Sequence, residues 1–230
     1  MPLVCDWEGE TGEVRSQETG RHDDTCSVGR WVPERKLMRK FIPALAALLI
    51  LAPTAAFAHP GHGDAVGFLH PISSLDHILA MVAVGVFAFL LGGRALILVP
   101  LSFVGMMAVG FLLGLSGVQL PFVELAIGLS SVVIGAVAAS GRSMPIAAAM
   151  SLVGVFAVFH GHAHGAEMPA NAAGLDYALG FLAATTLLHL AGIGAALGVA
   201  KLTGPHGTTL AQLAGGAFAL GGFGLLAGWL

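Results

Sequence analysis

From residue 74 to its C-terminus the chain is a succession of six apolar stretches, roughly 74–92, 95–114, 121–140, 144–160, 174–199 and 209–229. Each is close to the ~20 residues that a helix needs to cross a bilayer. The breaks gather Gly, Pro and Ser, at Gly92-Gly93-Arg94, Ser116 to Pro121, Ser140 to Pro145, His160 to Ala172 and Lys201 to Thr208. Backbone polar groups in lipid must be satisfied within their own segment, so apolar runs of this length fold as helices. The pattern predicts an all-α integral membrane protein, a bundle of six transmembrane helices. With 56% hydrophobic and 10% charged residues and a mean hydropathy of +0.86, the composition agrees.

The first 58 residues read differently. Met38-Arg39-Lys40, the apolar run Phe41 to Leu51 and Ala56-Phe57-Ala58 have the three parts of a signal peptide over 38–58, with cleavage before His59. Residues 1–37 are polar and mixed in charge, and are taken as an extension from a start codon assigned too far upstream. Both cysteines, Cys5 and Cys26, fall there, so the mature chain 59–230 offers neither a disulfide nor a thiolate ligand. Its basic residues before the last segment are Arg94, Arg142 and Lys201, one on each of the first, third and fifth joints, whereas the second and fourth joints have none. By the positive-inside rule those three joints are cytoplasmic. The expectation is a multi-pass protein of a bacterial inner membrane with periplasmic mature N- and C-termini. Three scattered cations make no nucleic-acid surface.

Against this apolar background the ionisable residues stand out, because such groups within a membrane are costly and mark pathways or sites. Asp76 and His77 open the first stretch, Glu124 opens the third, His160 closes the fourth and Asp176 opens the fifth, all on the outward side. His189 lies about 20 Å further along the fifth stretch than Asp176, at 1.5 Å per residue, and so near the midplane. His77 and Met81 share a helix face, and a neutral imidazole beside the Asp76 carboxylate is suited to holding a divalent cation. The plainer reading of His70-Pro71 is a turn before a helix, with Ser73 or Ser74 as N-cap and Asp76 at the positive end of the dipole. A second group, His160, His162 and His164, gathers imidazoles whether the segment is extended or helical, and its glycines favour a loop. Its plainer reading is a solvated run that scavenges metal. His59 and His62 at the new N-terminus make a third group that could chelate through the free amine. Glu124, one turn into an apolar span, needs a cationic partner or a proton. His189 could equally be hydrogen-bonded across helices, with Thr185 or Thr186 as neighbours. His206, in an inner joint, is assigned nothing.

These residues resemble those of the HupE/UreJ family of membrane proteins, found with nickel hydrogenases and ureases and regarded as nickel or cobalt permeases. The resemblance covers His59 to Leu230. It rests on His70-Pro71 with Leu75-Asp76-His77, Ala80-Met81 and Val84-Gly85; on Phe159-His160-Gly161 with Ala163-His164-Gly165, Glu167 and Pro169; and on Gly180-Phe181, Ala184-Thr185, Leu188-His189 and Gly192. It departs from the family at Ser73-Ser74, where glycine is common. The resemblance implies a metal uptake protein, and carries metal handling to His70, Asp76, His77, His160 and His164, and to Glu124 and His189.

The donor set is compatible. Without cysteine, imidazoles, carboxylates and Met81 suit Ni²⁺, Co²⁺, Zn²⁺ or Cu²⁺ as a transported ion, with no permanently bound cofactor. No Walker-type nucleotide signature is present. The expected mechanism has outer histidines capturing the ion, Asp76, His77 and Glu124 holding it at a vestibule, and His189 relaying the ion or a proton. Uptake should then fall steeply below about pH 6, where histidines charge and release metal. Two other classes stay open. Gly114-Leu115-Ser116-Gly117 with His189-Leu190-Ala191-Gly192 matches the motifs of rhomboid intramembrane proteases, which would make Ser116 and His189 a nucleophilic dyad. Alternatively the histidines form a periplasmic metal buffer or accessory platform with no transport. A functional link to nickel hydrogenase or urease maturation follows from the resemblance alone.

Overall fold

A computed structural model of the chain describes residues 62–170 and 172–229, with side chains from residue 67 onward. The extension 1–37, the signal peptide 38–58 and His59 lie outside the described residues, as does the side chain of His62. Among the described residues all regular structure is helical: α1 (His62–Ser73), α2 (Leu75–Leu91), α3 (Ala95–Leu115), α4 (Val123–Ser140), α5 (Ile146–Ala166), α6 (Gly174–Thr203), a single 3-10 turn (Gly204–His206) and α7 (Gly207–Leu226). By length and apolarity, four stretches can cross a membrane: α3, α4, α5 and the run Gly174–Leu226. A fifth is added if the pair Gly67–Ser73 and Leu75–Leu91, bent by 85°, counts as one broken span.

The run Gly174–Leu226 is not one straight rod. Leu225 and Leu226, at the end of α7, share a cavity with Leu75 and Asp76 at the start of α2 and Glu124 at the start of α4. Thr208 and Gln212, at the start of α7, share a second cavity with Leu90, Leu91 and Val137 near the far ends of α2 and α4. The chain therefore reverses at Gly204–His206, and α7 runs antiparallel to α2 and α4. Gly141 closes α4 in the left-handed conformation (φ 61°), which glycine adopts without steric cost.

Two boundaries differ from the sequence expectation. Helix α5 does not stop at His160 but continues to Ala166, so the histidine run is helical and not a loop. Its glycines are there for contact. A Cβ on Gly161 or Gly165 would strike the Met107 or Phe111 carbonyl oxygen of α3, and one on Gly110 or Gly114 would strike the Val158 or His162 carbonyl oxygen of α5. Small residues thus let two backbones meet, as in close-packed membrane helices. Further, His70-Pro71 is not a turn. Both lie in the last turn of α1, Ser73 Oγ donates to the His70 carbonyl (3.1 Å), and Ser74 precedes α2 with no side-chain cap. A proline in the final turn still ends α1, and α2 departs at 85°.

A candidate metal pathway lined by histidines

The bend at Ser74 brings His70 back over the first turn of α2. The ring of His77 lies at the centre of a cluster, with centroids 5.5 Å from His70, 4.8 Å from His160 and 5.3 Å from His164, and His70 is 5.0 Å from His164. All four contacts are edge-to-face. Three helices contribute: α1 gives His70, α2 gives His77, and α5 gives His160 and His164, which share a face at i, i+4 because the helix continues. His77, His160 and His164 are buried and His70 is half-buried.

Each buried ring is held by one nitrogen. Asp76 Oδ1 accepts from the His77 backbone N–H (2.8 Å) and from ring Nδ1–H (3.0 Å), leaving Nε2 without a partner. Ser130 Oγ donates its single hydrogen to the Ile127 carbonyl (2.6 Å) and so accepts from His160 Nε2–H (3.0 Å), which leaves the lone pair on Nδ1. His164 lies flat on Phe181, with centroids 4.5 Å apart and planes at 4°. Its Nδ1 faces the Tyr177 hydroxyl (3.4 Å), and its Nε2 has no partner. Tethering one imidazole nitrogen to fix the tautomer and aim the other is how metal-ligating histidines are positioned. No three His, Cys, Asp or Glu side chains among the described residues already converge to enclose an ion, so gripping one requires the edge-to-face rings to turn.

The remaining candidates divide. Asp76 lies beside the cluster, half-buried, and with Glu124, Leu75, Leu125, Gly128, Leu225 and Leu226 lines a cavity of about 400 Å³. Glu124 itself is exposed, contrary to the expectation that it is buried and in need of a partner, because the first turn of α4 opens onto this cavity. His162 does not join the cluster. It points from the other side of α5, where Nε2–H donates to the Val118 carbonyl (2.6 Å). Met81 shares the His77 face but is fully buried in the apolar core. His189 is fully buried, edge-on to Phe103 at 5.1 Å, with neither ring nitrogen paired. The threonines expected beside it are engaged elsewhere, Thr185 with Met107 Sδ (3.5 Å) and Thr186 with the Leu182 carbonyl (2.7 Å). The Ser116–His189 dyad is not formed: Ser116 is exposed and donates to the Leu112 carbonyl of its own helix (2.6 Å).

Sequence reasoning gave no role to Ser130, Tyr177 or Phe103, and used Phe181 only as part of the matched motif. A signal for the first was present, since Ser130-Ser131 is a polar pair inside an apolar stretch. Another was the spacing of Tyr177, Phe181, Thr185 and His189, four residues apart on one face of α6.

A multi-pass helical membrane protein with a buried histidine cluster at one end of its bundle is the class that these features define. Residues 46–225 match the family described as HupE / UreJ protein, and the chain belongs to that family. It is 47% identical over 192 residues to Protein HupE of Rhizobium leguminosarum bv. viciae, an alignment covering 82% of this chain and 98% of that protein. No solved structure matches.

Proposed function

We propose that this protein is a permease that carries a divalent transition metal ion, Ni²⁺ first and Co²⁺ second, inward across the bacterial inner membrane. The observation that carries the reading is the meeting of four imidazoles from three helices, three of them buried with an unpaired nitrogen each. Neutral nitrogen donors with a neighbouring carboxylate and no thiolate favour Ni²⁺, Co²⁺, Zn²⁺ or Cu²⁺ over Mg²⁺ or Ca²⁺. The bundle makes six crossings, counting α2 with its bent partner α1 as one and α6 and α7 as two. The cluster and the Asp76–Glu124 cavity then open to the periplasm, and Arg94, Arg142 and Lys201 lie on the cytoplasmic side. The ion enters past the two carboxylates, loses water among the histidines and passes into the bundle. Its destination is the maturation of a nickel hydrogenase or a urease, the setting of the family.

Radioactive Ni²⁺ uptake into proteoliposomes containing the purified chain tests this, with His77→Ala as control. Saturable uptake that is lost in His77→Ala is the expected result. Metal binding without uptake in the wild type would overturn the permease and leave a metal buffer in its place.

A further inference from the structure

Below the outer cluster one face of α6 continues inward as Tyr177, Phe181, Thr185 and His189, all buried. Helix α3 lies antiparallel along this stripe. Phe111 faces Tyr177 and Phe181, Met107 accepts the Thr185 hydroxyl hydrogen at 3.5 Å, and Phe103 meets His189. The pairing is regular until its last step, where the imidazole of His189 faces an aromatic ring and neither Nδ1 nor Nε2 finds a partner. A buried polar group left unpaired costs about 1–3 kcal/mol and requires an explanation. At a midplane position, bulk water does not supply one.

We infer that His189 forms a second, inner ion-binding station, with the Met107 thioether and the Thr185 hydroxyl as further donors and the Phe103 ring as the neighbour it shares with the outer cluster. This rests on the permease reading. The Phe103 ring is fully buried, with its centroid 5.6 Å from that of His160 and 5.1 Å from that of His189. One aromatic ring thus touches both histidines, and it offers no lone pair of its own to an ion passing from His160 to His189. The Thr185–Met107 bond is weak, because a thioether is a poor acceptor, and both groups can be released toward an ion. Imidazole, thioether and hydroxyl together suit the borderline ions Co²⁺, Ni²⁺ and Cu²⁺, and reject Mg²⁺ and Ca²⁺, which require shells of oxygen. The outer cluster favours transition-metal ions as a class, and the thioether of the inner station narrows the choice among them.

The test uses the full chain, purified in detergent, titrated with Co²⁺ and followed by equilibrium dialysis and visible absorption, with uptake measured in parallel in proteoliposomes. Wild type is expected to bind about two ions per chain, one at each group of donors, and His189→Ala about one, with the first ion's spectrum unchanged and uptake lost. Met107→Leu, which keeps the volume of the side chain, should weaken the second ion roughly tenfold or more and change its spectrum while sparing the first. Where His189→Ala does not elute as a monodisperse species, Met107→Leu and His189→Gln carry the same readout. The inner station is overturned if the variants keep the second ion with its wild-type affinity and spectrum, whatever their uptake. A wild type that binds ions but carries none sinks the permease instead, which separates the two failures.

Discussion

Replacing Ser130 by alanine removes the acceptor that holds His160 in the tautomer with Nδ1 open. In the wild type the Ser130 hydroxyl hydrogen is committed to Ile127, and its oxygen receives His160 Nε2–H at 3.0 Å in a fully buried setting. In Ser130→Ala the proton on Nε2 loses its acceptor and is no longer held there, and the Nδ1–H tautomer, equally unpaired, competes with it. Binding an ion through Nδ1 selects the Nε2–H tautomer, whose donor is now buried and unpaired. The penalty for such a donor is about 1–3 kcal/mol. That penalty is the ceiling on the loss, because the Nδ1–H form of the free protein is unpaired too, so the dissociation constant should rise by up to roughly 150-fold at 1.4 kcal/mol per decade. A Co²⁺ titration against a competing chelator reads this directly. The same substitution in a His160→Ala background should add almost nothing, because the two residues act through one contact. An unchanged affinity in Ser130→Ala, or an equal loss in both backgrounds, would refute the tautomer argument.

Asp76→Asn removes the charge that orients His77 Nδ1–H, and is expected to weaken metal binding by about 10–100-fold in the same titration. Gly161→Ala places a methyl group against the Met107 carbonyl oxygen and should force α3 and α5 apart, at about 1–3 kcal/mol, seen as a lower thermal midpoint in detergent. Ser116→Ala should leave uptake at the wild-type rate, since its hydroxyl is exposed and serves only the end of its own helix; loss of uptake there would revive a role for the serine.

The helices were legible because hydropathy alone fixes where a chain can cross lipid, and the starts of α2, α4 and α6 fall within two residues of the apolar boundaries. The Asp76–His77 pair was legible too, since adjacency in sequence is sufficient for their bond. What stayed hidden depends on a second helix. Gly161 and Gly165 look like loop punctuation until α3 is seen lying against them, and the helical course of His160–Ala166 follows from that contact. The tether between Ser130 and His160 joins residues 30 apart in sequence, and nothing local announces it. Glu124 was misjudged for a related reason. Its place in the first turn of an apolar span says nothing of whether α2 and α7 leave a cavity before it, and they do.

The six buried side-chain polar atoms without a partner among the described residues are all histidine nitrogens, one each on His77, His160, His162 and His164 and two on His189. Buried polar groups ordinarily find a carbonyl or a hydroxyl. Instead His77, His160 and His164 and, outside the cluster, His162 have one nitrogen facing Asp76, Ser130, Tyr177 or the Val118 carbonyl, and the other left open. On the proposed function, the cost of leaving such atoms unpaired is met when an ion supplies the missing bond. The tethers differ in a way that follows depth: a carboxylate holds the ring at the mouth, a hydroxyl holds the next, and His189 has none. A charged tether at the entrance favours capture of a cation, whereas an untethered ring deeper in the bundle holds an ion less firmly and can let it go.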